Sequence, residues 1–168
     1  MEELLAPRGN GFSLDAQNLV DQRVFTLLLN HEIHKATRLQ YCFSILCLTP
    51  DLPPEHADPT LTTQMARVAI SHLRTTDLAS TLPPSCVTLL LIDAEARNLP
   101  GILQRLKGAL EPLPLILRGR DGRFTMSAGG GSYPQTATSG SELLRQAIDL
   151  MTQAKAGGGN QLYLPPGP

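Results

Sequence analysis

The chain has 168 residues, enough for one domain of ordinary size with its own core. Apolar residues make up 42% and charged residues 17%, and 14 Lys and Arg against 15 Asp and Glu leave a net charge of −1. That composition excludes a disordered chain and argues against broad, charge-driven binding to a nucleic acid polymer or an anionic membrane; a small local ligand site stays open.

Residues 1–13 read as a flexible lead, without the basic start and apolar run of a signal peptide. From Val24 to Ala36, Phe25, Leu29, Ile33 and Ala36 recur at spacings of three and four, which predicts a helix. Cys42 to Leu48 is an apolar run that suits a buried strand. Cys42 and Cys47 fall within it, where Cys behaves as a small hydrophobe. The prolines between Thr49 and Pro59 predict a loop. Leu61, Met65, Val68 and His72 then mark a second helical stripe, with His72 read as a packed or edge histidine.

After a Pro-Pro turn, Val87 to Ile92 is a β-rich buried strand, and Leu99 to Leu110 is a third helix. Leu115–Leu117 and Phe124–Ala128 flank Gly119–Gly122 and read as a hairpin, with Gly129–Gly131 as a strand exit. Ser141 to Lys155 is a fourth helix, capped by Ser139 or Ser141 and stopped at Gly157–Gly159. Leu162–Leu164 is a last strand, and residues 165–168 form a Pro-rich tail unsuited to a sheet interior. Helices separated by single strands predict an α/β (α+β) sandwich around one mixed sheet.

No run approaches the roughly 20 apolar residues of a membrane-spanning helix. The three cysteines are odd in number and lack metal-type spacing. These features lead us to expect a cytoplasmic, reduced chain with no membrane insertion, no metal site and no cofactor.

The order of elements, together with specific residues, resembles the bacterial GGDEF (diguanylate cyclase) domain. Asp21-Gln22-Arg23-Val24-Phe25 is similar to that family's opening Asn-Arg-Arg-x-Phe, and His31 to Arg38 resembles its Glu-(Ile/Leu)-x-Arg-Ala-x-Arg helix. Phe43 to Leu48 sits where the family has its Leu-Ser-Leu-Leu-Leu-Leu strand. Thr125 to Gly129, Glu142-Leu143-Leu144, Ala147, Ala154-Lys155, Gly158 and Asn160 follow its C-terminal pattern. The likeness covers residues 14–164, taken as one domain, and implies a mostly antiparallel central sheet flanked by helices.

The resemblance breaks at the family's catalytic positions. Thr49 stands where the family places the metal-binding Asp that ends its first strand, and Pro83-Pro84-Ser85-Cys86-Val87 stands at the signature turn. Both glycines and both carboxylates of that turn are replaced, and Gly159 takes the place of a phosphate-holding Arg, leaving Lys155. The expectation from this pattern is a chain that is not an enzyme.

Arg74-Thr75-Thr76-Asp77 precedes the turn at the spacing of the family's Arg-x-x-Asp inhibitory site for cyclic di-GMP, and Arg105 matches a further arginine of that site. The chemistry suits guanine, because an Arg fork donates to O6 and N7 while a carboxylate accepts from N1–H and N2–H. The resemblance thus implies a signalling domain that binds cyclic di-GMP at Arg74, Asp77 and Arg105 and relays it through a protein partner or self-association. The alternative is a ligand-free scaffold, in which Arg74 and Asp77 are ordinary helix-end surface residues. His31 and His34 are spaced i, i+3 where a zinc-protease helix needs i, i+4, so they read as a solvated face.

Overall fold

The computed structural model describes residues 12–13, 16–117 and 120–166; the rest of the expected lead, residues 1–11, and residues 167–168 of the tail lie outside them. The described residues open with β1 (Phe12–Ser13) and β2 (Ala16–Val20), an antiparallel pair. Helix α1 (Gln22–Leu39) begins after Asp21, whose carboxylate accepts from the Val24 amide 2.9 Å away, and it buries Phe25, Leu29, Glu32 and Ala36. It runs three residues past the predicted Ala36 and stops at Gln40, where φ turns to 57°.

Strand β3 (Phe43–Pro50) is buried along all its residues, as a central strand covered on both faces must be. It takes in Thr49 and Pro50, which the proline count had assigned to a loop, and a short 3₁₀ turn at Pro54–His56 adds structure to that loop. Helix α2 (Pro59–Ser71) starts with proline at its first position and the Asp58 carboxylate on the Thr60 amide.

Strands β4 (Leu78–Leu82) and β5 (Cys86–Ile92) form a hairpin around Pro83-Pro84-Ser85. A second 3₁₀ turn, Ala96–Asn98, leads into helix α3 (Leu99–Leu110), whose bounds match the predicted ones. Strand β6 (Leu115–Leu117) pairs with β7 (Arg120–Gly122), so the hairpin closes more tightly than expected and Phe124–Ala128 is not its second arm. That segment instead leads into β8 (Met126–Tyr133), followed by helix α4 (Gly140–Ala156), capped by Ser139, and β9 (Leu162–Tyr163).

Among the described residues, seven strands make one sheet in the order β1-β2-β4-β5-β3-β8-β9, antiparallel except at β2–β4 and β8–β9. Two apolar clusters fill the two faces. Leu46, Leu48, Leu89 and Leu91 pack against Met65 of α2 and Leu99 and Leu106 of α3. Ile45, Cys47 and Leu90 pack with Phe25 and Leu29 of α1 and Leu143 and Ala147 of α4. The expected architecture is present: a mixed, mostly antiparallel sheet flanked by helices.

Gly129–Gly131 lie inside β8 and do not end it. A Cβ on Gly129 would stand 2.2 Å from Ala147 O and Met151 N, and one on Gly130 would stand 2.6 Å from Leu99 Cδ1. Small residues let α4 settle directly on the strand backbone. Among the described residues, no helix is long and apolar enough to cross a membrane.

Candidate functional site

Arg74 and Asp77, from the turn after α2, and Arg105, from α3, line one pocket of about 200 Å³. Helix α2 ends at Ser71 and the chain turns through Arg74 to Asp77, whose amide donates to Arg74 O at 3.0 Å. The Asp77 side chain folds back into this turn, with Oδ2 accepting from the Arg74 amide at 3.0 Å. Its Oδ1 accepts from the Ile92 amide at 2.9 Å. β4 begins at Leu78, opposite Leu90, so Ile92 lies beyond the reach of that strand's backbone and Asp77 supplies the acceptor instead.

Asp77 is 3% exposed and forms part of the pocket floor, while Arg74 and Arg105 are exposed above it. Leu73, Leu91, Ile92, Ala94 and Ile102 supply apolar walls. Each carboxylate oxygen has a second lone-pair direction beyond the amide it already binds, so two further donors side by side fit the acceptor geometry. Sequence reasoning did not select His72, which also lines the pocket. It sits at the C-cap of α2 and is exposed, not packed in the helical stripe. The helical period carried no sign that α2 would end one residue before it.

The two segments matched to the family's catalytic positions also meet. Thr49 Oγ1 lies 3.4 Å from Ser85 Oγ, both residues nearly buried. Asp51, two residues past Thr49, accepts from Thr125 Oγ1 and Ser127 Oγ at 2.6 Å each and from the Asn160 amide at 2.8 Å. Gly159, at φ 75°, brings its backbone against that carboxylate, and an added Cβ would stand 2.9 Å from Asp51 Cγ. Asn160 in turn accepts from Lys107 Nζ at 2.7 Å through its Oδ1. Two hydroxyls and one carboxylate already engaged by three donors do not fit a pair of divalent cations, which take several free carboxylate oxygens. The one remaining cation of the expected phosphate set, Lys155, is half-buried in the last turn of α4.

Two buried thiols, Cys47 and Cys86, lie side by side on β3 and β5, and the hydrogen bond between them, followed by burial, holds the Cys47 thiol well above the usual range. Cys42 is half-buried, and its thiol is raised by burial first and then by the Asp93 and Glu95 carboxylates. Raised in this way, Cys42 and Cys47 are poor nucleophiles, and Cys86 is shielded by burial.

Neither a protein-family model nor a curated protein sequence matches the chain. Solved structures do. The diguanylate cyclase SiaD of Pseudomonas aeruginosa, in complex with its activator SiaC, superimposes with a TM-score of 0.76 at 18% identity; the match covers 92% of this chain and 61% of that one. The GGDEF domain of DgcB from Caulobacter crescentus, in complex with c-di-GMP, gives 0.74 at 17% identity over 94% of each chain. The active GGEEF domain of a diguanylate cyclase from Vibrio cholerae gives 0.73 at 12% identity, covering 86% of this chain and 96% of that one.

These neighbours correct one expectation. The domains that share the fold include cyclases, so a place outside the enzymes does not follow from the replaced turn. What the comparison establishes is architectural: the chain has the fold of the GGDEF domains of diguanylate cyclases.

Proposed function

We propose that this chain is a cytoplasmic signalling domain that binds cyclic di-GMP at Arg74, Asp77 and Arg105 and passes the signal on through a protein partner or a second copy of itself. The observation that carries this reading is the convergence of the three residues on one pocket of about 200 Å³, room enough for one purine base. A carboxylate floor with apolar walls and two arginine forks at the rim suits guanine: N1–H and N2–H donate to Asp77, and the forks reach O6, N7 or the phosphates. The relatives in fold include one solved with c-di-GMP and one solved with a protein activator, which supports a domain of this shape serving both contacts.

Calorimetric titration of the chain with cyclic di-GMP tests the reading. Binding by the wild type, weakened at least tenfold by Arg74→Ala, is the expected result; no heat from the wild type at micromolar protein overturns it. The second reading, a ligand-free scaffold, draws on Asp77, whose two oxygens already hold backbone amides. A folded wild type that binds no nucleotide favours that reading.

A further inference from the structure

We propose that His72 is a fourth ligand-contacting residue of the pocket: its ring takes a proton from solvent and, as imidazolium, donates a hydrogen bond from Nε2 to a phosphate oxygen of the bound cyclic dinucleotide, so that binding takes up a proton. This rests on the reading of the pocket given above. His72 lines the pocket with Arg74, Asp77 and Arg105, and its ring is held in one orientation from the helix side. Nδ1 lies 3.0 Å from Val68 O, which can only accept, a contact that favours the tautomer with hydrogen on Nδ1. Ser71 Oγ donates to the same carbonyl at 2.7 Å and stands 3.2 Å from Nδ1, closing that side of the ring.

Nε2 has no partner among the described residues. Neutral His72 therefore offers a lone pair at Nε2, which repels a phosphate oxygen. Protonation places a donor there without breaking the bond to Val68, and the N–H to phosphate contact becomes charge-assisted.

The charged groups that line the pocket with His72 are Arg74 and Asp77 from the turn after α2 and Arg105 from α3; the β5 wall and Ala94 contribute none. The two arginines keep their charge across the working range. Protonating Asp77 would remove an acceptor from guanine and weaken binding in acid. Tightening in acid therefore carries the opposite sign and belongs to His72.

The test is calorimetry with cyclic di-GMP at pH about 5.5 and about 8, on wild type, Arg74→Ala and His72→Gln, in two buffers of different ionisation enthalpy. The expected wild type binds about tenfold tighter at the lower pH and takes up a proton on binding near neutrality. His72→Gln binds with little pH dependence and no such uptake. If the wild type binds and Arg74→Ala abolishes binding, but His72→Gln keeps the full pH dependence, this inference fails and the pocket reading stands. If the wild type binds at neither pH, both fail together.

Discussion

Removing the Asp51 carboxylate should loosen three segments at once, because one side chain ties the exit of β3 to the start of β8 and to the loop after α4. Asp51→Ala deletes the acceptor of Thr125 Oγ1, Ser127 Oγ and the Asn160 amide. These contacts do not weigh equally. Ser127 is fully buried, so its hydroxyl is stranded away from water, at about 1–3 kcal/mol. Thr125 and Asn160 are exposed and rebind water, and their charge-assisted bonds contribute a few tenths each after solvent screening. The sum is about 2–3 kcal/mol, a fall in Tm of roughly 4–10 °C for a domain of this length.

Urea unfolding followed by circular dichroism measures it, with the slope unchanged as the sign that both variants unfold in the same way. Asp51→Asn keeps one accepting oxygen and should lose about half as much. In a Ser127→Ala background the Asp51→Ala cost should shrink to under about 1 kcal/mol, because the stranded hydroxyl is gone. A cost unchanged by Ser127→Ala would refute the assignment of the energy to that buried bond.

Three further outcomes are expected. Tyr41, its pKa pushed up to about 12 by burial first and then by its hydrogen bond to Glu32 and that carboxylate's charge, should be seen as a late phenol transition in ultraviolet titration. Glu32→Gln should shift that transition toward the ordinary range without reaching it, since burial persists. Because the folded state favours the neutral phenol, the associated stability is full below pH about 10 and is lost as pH rises toward about 12; a wild type whose alkaline stability matches that of Glu32→Gln would refute this. Gly129→Ala should cost about 3 kcal/mol or more, because α4 must move off the sheet to admit a methyl group, and a variant unfolding within about 1 kcal/mol of wild type would show that the helix yields freely. A thiol reagent at pH about 8 should modify Cys42 slowly and leave Cys47 and Cys86 untouched in the folded chain, whereas fast labelling of more than one thiol would contradict their burial.

How far the sequence foretold the fold depended on where apolar side chains were large. α3 and α4 carry Leu-rich stripes and were placed almost to the residue, and β3 and β5 stood out as β-rich runs. β4, Leu-Ala-Ser-Thr-Leu, escaped because its buried interior positions are Ala79 and Ser80, too small and too polar to mark a core strand. β2, Ala-Gln-Asn-Leu-Val, escaped for the same want of contrast. The glycines of β8 were misplaced because three in a row suggest freedom, while here they answer to a neighbouring helix no local pattern announces.

The candidate site was legible only through the family likeness, which supplied Arg74, Asp77 and Arg105 as a set. Spacing along the chain could not show that Asp77 would be committed to two backbone amides, since its partner Ile92 belongs to another strand. Nor could it show Asp51 as the junction near Thr49, whose partners come from β8 and the loop after α4.

The division of the core between the two faces of the sheet carries a consequence for how the chain assembles. The face covered by α2 and α3 draws its main layers from contiguous chain, β3 through α3, so it can close on itself as soon as that stretch leaves the ribosome. The other face needs α1 and α4, from opposite ends of the sequence, and Ile45, Cys47 and Leu90 stay uncovered on the α4 side until the last helix is made. Between the completion of α3 and the making of α4 the nascent chain is a sheet roofed on one side and only part-covered by α1 on the other, and α4 acts as the bolt that turns it into a domain.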